Sequence, residues 1–235
     1  MAARVERLAW NDVQLDPIDL GGATLQLTLA LGSGLSRRAS DGALFAITDR
    51  GPNLFPSQAI DDYGLSRFAP LRGIPGAKIM PISQAGPEIV ELRVIDDAVN
   101  ALRRIPLVTL SGARLTGVAL PGGAMEPIFD IAGSRLAPDT LGADSEALAA
   151  MPDGSFLVAE EYGPSTLVVS SDGVVSERWV AAGREAELSH PDLPARGVLP
   201  ARCTRRRPNR GSRRYAPRPM AGGCTSDSRA RCRVR

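Results

Sequence analysis

The stretch SEALAAMPDGSFLVAEEYGPSTLVVSSDGVVSERWV, residues 145–180, contains four short apolar runs separated by the turn sequences PDG, YGPS and DG. Asp-Gly between two apolar runs is a strong signal for a β-hairpin. Four strands joined in this way, in about 40 residues, predict one antiparallel meander, which is the size of one blade of a β-propeller.

The same order of signals occurs earlier in the chain. DGALFAITDRGPN, residues 41–53, returns 112 positions later as DGSFLVAEEYGPS, residues 153–165. Around the first copy, apolar runs predict a blade whose strands are TLQLTLAL (24–31), ALFAITD (43–49), AKIMPIS (77–83) and PEIVELRVI (87–95). Asp-Gly then begins the second strand of both blades. Residues 50–76 form a long insertion, and such loops on a rigid scaffold commonly carry function.

These repeats predict an all-β fold. The specific prediction is a partial β-propeller over residues 20–211, built of four-stranded antiparallel blades, followed by a disordered, Arg-rich tail over residues 212–235. A β-sandwich is the alternative, because it also consists of regularly spaced short strands. The repetition of a whole meander favours the propeller.

The charge of the chain changes sharply near its end. Residues 1–201 contain 16 of the 28 basic and 25 of the 26 acidic residues, whereas residues 202–235 contain 12 Arg and one Asp. The tail is either a basic arm that binds phosphates or the product of a shifted reading frame. The chain has 27 Arg and one Lys, as GC-rich coding produces, and such DNA read out of frame yields Arg, Pro, Gly, Ala and Cys. The shifted frame is favoured, and no nucleic-acid partner is expected.

The N-terminal residues show no apolar segment of signal-peptide length, and no apolar run approaches the ~18 residues of a membrane span. We therefore expect no membrane contact and a cytoplasmic location, with secretion or a periplasmic location if the start codon lies upstream. The single histidine, His190, excludes His-rich zinc sites and disfavours a Ser-His-Asp triad.

Carboxylates stand at strand ends in both blades. Asp144 and Glu146 lie two apart at the start of an innermost strand, so their side chains are expected to share one face. Asp49 and Glu161 follow the second strand of each blade, directly before the Gly-Pro turns, whereas Glu160 is expected to be exposed. The alternative for these residues is a solvated turn.

Other polar side chains near the Gly-Pro turns suit an anionic ligand. Arg50 can bind a phosphate through its guanidinium group, and Asn53 can supply an amide. Lys78, the only lysine, offers a compact positive charge, or alternatively protects a sheet edge. Tyr162 is a candidate to line the mouth of the site, with packing as its alternative role.

Six motifs, in this order, resemble the phytase-like family, also described as having the esterase-like activity of phytase: GSGLSRR, ITDRGPN, GAKIMPI, DSEALAAMPDGSFLVAEEYGPS, SERWV and RRRPNRG. The resemblance implies a β-propeller hydrolase that is distantly similar to calcium-dependent phytases, which cleave phosphate monoesters. It also implies that Asn209 and Arg210 bind substrate. Similar chains continue with Phe-Glu-Gly after this Asn-Arg-Gly, but here Ser212 and Arg213 follow, which supports a frame break near Gly211 and a truncated ring of blades.

The functional expectation is a metal-assisted hydrolase of phosphate esters. Its catalytic residues are Asp49, Arg50, Glu146 and Glu161. Its substrate is a small phosphate ester or another anion, and its metal ligands are Asp49, Asp144, Glu146 and Glu161. Calcium is the expected ion, because these ligands are oxygen atoms. The alternatives are a propeller that binds a ligand or a protein without catalysis, and an inactive fragment.

Overall fold

The computed structural model describes residues 6–122 and 126–205 of the chain. The tail over residues 212–235 and the predicted substrate ligands Asn209 and Arg210 lie outside these ranges, so the predictions made for them stay predictions. The same holds for the end of the predicted domain at residue 211. Within the described residues the fold is all-β, as predicted.

The described residues form fourteen strands and two short helices. In chain order the strands are β1 Ala9–Trp10, β2 Ile18–Asp19, β3 Thr24–Leu25, β4 Gly34–Arg37, β5 Leu44–Ile47, β6 Lys78–Ile79, β7 Glu88–Ile95, β8 Ala98–Pro106, β9 Ile128–Phe129, β10 Ser145–Ala150, β11 Phe156–Glu160, β12 Ser165–Val169, β13 Val175–Ala181 and β14 Ala195–Leu199. The α-helices are α1 Pro56–Asp61 and α2 Glu185–Leu188, and 3-10 turns cover Ser66–Leu71 and Ala201–Arg205.

Two five-stranded sheets form the two blades. Their strand orders are β1-β8-β7-β5-β4 and β10-β11-β12-β13-β14. In each sheet four strands form an antiparallel meander, and one short strand adds to the outer edge in parallel. The predicted four-stranded antiparallel blades are confirmed.

The strand assignment is correct in the second blade and partly wrong in the first. The first blade begins at β4, not at residues 24–31, where Thr24–Leu25 instead pairs with β2. Residues 77–83 give only β6, which pairs in parallel with β9 outside the blade. The third strand is β7, which follows β5 directly in the sheet and turns into β8 at Asp96 and Asp97, both with positive φ. The insertion is therefore longer than the sequence predicted, because short apolar runs do not reveal which partner a strand takes.

The first strands of the two blades lie side by side. The backbone N–H of Ala150 in β10 donates to the Ser36 hydroxyl in β4 at 2.9 Å. Gly34 permits this approach, since a Cβ there would lie 2.8 Å from the Leu148 backbone nitrogen. The rings of Phe45 and Phe156 pack edge to face, 5.0 Å apart, in one apolar core that both blades share. This shared core fixes the two blades relative to each other.

The insertion after β5 builds a second apolar core. It consists of α1, the Ser66–Leu71 turn and β6, and it packs against β2, β3 and β9. The largest buried side chain in this core is Phe68. No helix in the described residues is long and apolar enough to cross a membrane.

Candidate functional site

The two blades are tied together where β5 ends and β10 begins. The Ser145 hydroxyl of the second blade donates to the backbone carbonyl of Thr48 of the first. Within the second blade, the N–H of Glu161 donates to the carbonyl of Asp144 at 2.8 Å. Asp49 follows this junction in the first blade, and Asp144 precedes it in the second. The two aspartates are thus brought together from separate blades.

The carboxyl groups of Asp49 and Asp144 lie within hydrogen-bonding reach of each other. Asp49 is exposed, whereas Asp144 is buried. Burial, together with a hydrogen bond from one carboxyl group to the other, raises the pKa of Asp144 well above its usual range, against the attraction of Arg50.

Arg50 lies at the centre of this group. Its Nη1 donates to the Tyr162 hydroxyl at 2.5 Å and lies 3.0 Å from Glu126 Oε2 and 3.5 Å from Asp144 Oδ2. Although burial opposes it, the attraction of Asp144 and Tyr162 raises the pKa of Arg50, so the guanidinium group stays charged. We call Asp49, Arg50, Glu126, Asp144 and Tyr162 the Arg50 cluster.

A close backbone approach holds the cluster in place. The Tyr162 hydroxyl donates to the Gly117 carbonyl at 3.2 Å, so this oxygen accepts from Arg50 and donates to the neighbouring backbone. A Cβ at Gly117 would lie 1.9 Å from the Arg50 carbonyl oxygen and 2.6 Å from the Met80 methyl group. Glycine is therefore required at this position for Arg50 to take its observed place.

Lys78 stands at the same end of the blades. Its ammonium group lies 3.5 Å from the centre of the Phe55 ring, a cation–π contact. Burial lowers the pKa of Lys78, and the nearby charges of Glu126 and Arg50 act on it in opposite directions. A partly desolvated ammonium group next to the Arg50 cluster is well placed to attract an anion.

The structure does not assign the side chains of three predicted site residues, Glu146, Glu161 and Asn53, to the Arg50 cluster. A β-bulge between Ser145 and Ala147 makes Glu146 the extra residue of its strand, so Glu146 and Asp144 do not follow the simple alternation of a strand. The backbone N–H of Glu161 donates to the carbonyl of Asp144 within the second blade. The Asn53 amide donates to the Gly51 carbonyl at 3.4 Å, a contact within the Gly-Pro turn. This contact fits a role in the turn, the alternative to ligand binding. The functional roles of these three residues stay predictions.

The expectation that Glu160 is exposed is wrong. Glu160 is fully buried, and its carboxylate accepts hydrogen bonds from the N–H groups of Tyr162 and Gly163 and from the Ser165 hydroxyl. Burial raises the pKa of Glu160 to about 7, against the attraction of Arg178 and these hydrogen bonds. Glu160 ends β11 facing the interior, where it fixes the backbone that carries Tyr162.

Sequence reasoning also missed two of the charged residues that build the site. Arg178 is fully buried in β13, and its Nη2 donates to the Gly142 carbonyl at 2.8 Å, two residues before Asp144. Glu126 comes from PGGAMEPIF, a segment without a strand pattern. The sequence could have indicated that Arg178 is buried and paired, because it lies in a strand with several apolar residues. No local pattern around Glu126 indicated a role for that residue.

A cavity of about 250 Å³ adjoins the cluster. Glu126 lines it and carries the ion pair to Arg50. We call it the Leu136 pocket, and its lining residues are Val118, Ala119, Glu126, Pro127, Ile128, Arg135, Leu136, Ala137 and Pro138.

The described residues supply only part of a metal site. In residues 6–122 and 126–205 no group of three or more His, Cys, Asp or Glu side chains is placed to hold a metal ion. Asp49 and Asp144 supply two carboxyl groups at one point, whereas calcium takes about 6–8 oxygen ligands.

Comparison with protein families gives one match. The model of a phytase-like family, described as having the esterase-like activity of phytase, matches residues 29–212. Comparison with curated proteins and with solved structures gives no match. The matched range contains the four antiparallel strands of each blade, the junction between the blades and every residue of the Arg50 cluster.

Proposed function

Because this chain belongs to the phytase-like family, we propose that it is a hydrolase of phosphate esters and that the reaction takes place at the Arg50 cluster. The observation that supports the proposal is the pair of carboxyl groups, Asp49 and Asp144, beside a buried guanidinium group. A base and a positive charge are the two elements that phosphoryl transfer requires.

In the proposed reaction a water molecule attacks the phosphorus atom. The exposed Asp49 carboxylate accepts one proton of this water, and the backbone N–H of Arg50, which donates to Asp49 Oδ1 at 2.7 Å, holds Asp49 in position. As the oxygen of the water bonds to phosphorus, the bond between phosphorus and the alcohol oxygen breaks on the opposite side. The alcohol oxygen takes a proton from solvent and Asp49 releases its proton to solvent, so one water is consumed for each ester cleaved.

Arg50 and Lys78 supply the positive charge. The negative charge that develops on the phosphoryl oxygens is stabilised most strongly by cations that are already fixed and partly desolvated. Arg50 is held by Tyr162, and Lys78 by its contact with Phe55. The acidic body of the chain, with 25 acidic and 16 basic residues in 1–201, favours a small substrate over a nucleic acid.

Calcium is part of the proposal, with Asp49 and Asp144 as its ligands from this site. Bound there, calcium would add positive charge at the phosphoryl oxygens. Each carboxylate has two oxygens, so Asp49 can bind a cation with one and accept a proton with the other. Glu146 and Glu161 stay predicted as further ligands.

The proposal is tested by turnover of nitrophenyl phosphate with added calcium and with a chelator. We expect turnover that calcium increases, and a fall in kcat/KM of roughly a hundredfold in Arg50→Lys, because lysine cannot contact Tyr162, Glu126 and the phosphate together. Lack of turnover in a protein that is folded by circular dichroism would contradict the hydrolase proposal and leave its two alternatives, a propeller that binds without catalysis and an inactive fragment.

A further inference from the structure

The Leu136 pocket is mostly apolar. Seven of its nine lining residues are Val, Ala, Pro, Ile or Leu, and the other two, Glu126 and Arg135, carry opposite charges. Glu126 is already paired with Arg50 at 3.0 Å. A ligand group in this pocket therefore contacts mostly apolar side chains. Such a lining favours apolar groups and offers few hydrogen-bond partners to hydroxyl groups.

The pocket adjoins the Arg50 cluster through Glu126 and through a shared apolar group. Ala119 and Ile128, which line the pocket, form one apolar group with Met80, and both Leu136 and Tyr162 pack against this group. Tyr162 in turn bonds to Arg50. A molecule with its phosphate at Arg50 thus has the next part of its structure beside the Leu136 pocket.

The charges around this site do not suit a substrate with many phosphates. The cations near the cluster and the pocket are Arg50, Lys78 and Arg135, and the carboxyl groups are Asp49, Glu126 and Asp144. Arg50 already lies 3.0 Å from Glu126 and 3.5 Å from Asp144, so its charge is largely committed to side chains of the site. A second or third phosphate on the same molecule would approach carboxylates rather than free cations.

We infer that the Leu136 pocket binds the alcohol part of the ester, so that the substrates are phosphate monoesters of apolar alcohols and not polyphosphorylated alcohols such as inositol hexakisphosphate. This inference rests on the proposed function. An apolar cavity of about 150 Å³ is enough for benzene, and the Leu136 pocket, at about 250 Å³, has room for a larger ring system or a short alkyl chain.

The first test compares substrates with the same phosphate and different alcohols. Naphthyl phosphate, glycerol phosphate and inositol hexakisphosphate are assayed by phosphate release, with calcium present. We expect kcat/KM for naphthyl phosphate to exceed that for glycerol phosphate by at least roughly tenfold, the scale on which apolar pockets discriminate. An equal or higher value for glycerol phosphate or inositol hexakisphosphate overturns the inference.

A matched pair of variants assigns the preference to the pocket. Ala137 is exposed and lines the pocket, so Ala137→Trp narrows it without disturbing the core. Ala132 is an exposed alanine of the preceding turn that does not line the pocket, so Ala132→Trp is the control. We expect Ala137→Trp alone to raise KM for naphthyl phosphate roughly tenfold and to leave glycerol phosphate unchanged. Equal effects on both substrates overturn the inference.

A binding measurement separates this inference from the proposed function. Naphthylmethyl phosphonate cannot be hydrolysed, and its binding is followed by naphthalene fluorescence. If the phosphonate binds and Ala137→Trp abolishes the binding while no ester is hydrolysed, the inference about the pocket stands and the proposed hydrolase function fails. If the phosphonate does not bind the wild-type chain, the inference about the pocket is overturned.

Discussion

The guanidinium group of Arg50 donates to the hydroxyl group of Tyr162 at 2.5 Å, and the two residues stand at the same position of two matching stretches that are 112 residues apart. Each residue follows the end of the second strand of its blade, directly before Gly-Pro. The repeat is therefore structural, and it also brings its two equivalent residues, Arg50 and Tyr162, into contact. Side chains from both blades can act together at this end of the blades.

The Tyr162 hydroxyl is expected to stabilise the junction of the blades. Tyr162→Phe leaves the buried Gly117 carbonyl without this donor and removes an acceptor from Arg50. We expect the free energy of unfolding in urea to fall by about 1–2 kcal/mol. Tyr63→Phe, in the separate apolar core around Phe68, is the control and is expected to cost less. Equal losses in the two variants would mean that the hydroxyl bridge adds nothing.

Gly117 is expected to tolerate no side chain. In Gly117→Ala the new methyl group would overlap the Arg50 carbonyl and the Met80 methyl group, so the backbone must shift. We expect a loss of about 3 kcal/mol in the free energy of unfolding and weaker phosphate binding. Gly73→Ala is the control, because a Cβ there meets nothing within 4 Å. An unchanged melting temperature in Gly117→Ala would contradict this account of the cluster.

The sequence predicted the second blade correctly because its strands are joined by short turns. Where Asp-Gly and Gly-Pro separate consecutive apolar runs, each strand pairs with the next one along the chain. In the first blade a long insertion lies between β5 and β7, and it contains apolar runs that build their own core around Phe68. Apolar content indicates that a run is buried but does not show against which element it packs.

The candidate site was predictable where residues lie next to strand ends. Asp49 and Asp144 were expected to approach each other from separate blades, and they lie near each other where the strand ends of the two blades meet. Their roles as ligands and catalytic groups stay predictions. Glu146 is the extra residue of a β-bulge. The bulge breaks the two-residue alternation from which its side chain was predicted to share a face with that of Asp144. Glu126 lies in an irregular segment, so its contact with Arg50 depends on tertiary structure that local patterns do not encode.

The buried Glu160 is expected to make stability depend on pH. The pKa of Glu160 is raised to about 7 in the folded chain from 4.5, so its contribution is fully present below about pH 4.5 and is lost as the pH rises through 7. The loss attributable to Glu160 is about 3 kcal/mol at most. Thermal unfolding measured from pH 4.5 to 8 should show this decline, and Glu160→Gln should flatten it. An identical pH profile in Glu160→Gln would show that the carboxyl group does not titrate in this range.

Substitution of Asp49 and Asp144 distinguishes a reaction site at these carboxyl groups from a purely structural turn. Asp49→Asn and Asp144→Asn each keep the shape of the side chain and replace one carboxyl group by an amide. We expect each to weaken calcium binding, measured by calorimetry, by roughly tenfold or more, and to lower kcat for nitrophenyl phosphate by roughly a hundredfold or more.

The control for the carboxyl pair is Glu177→Gln, since Glu177 lies on β13 and pairs with Arg196 at 3.0 Å, away from the Arg50 cluster. Calcium affinity and kcat should stay at wild-type values in this variant. Glu146→Gln, in the same assays, tests the predicted ligand that lies at the bulge: a loss equal to that of Asp49→Asn places Glu146 in the site, and no loss removes it. If both aspartate variants keep full calcium binding and turnover while their circular dichroism is unchanged, the two matching stretches serve only to join the blades, and the Arg50 cluster is a structural contact.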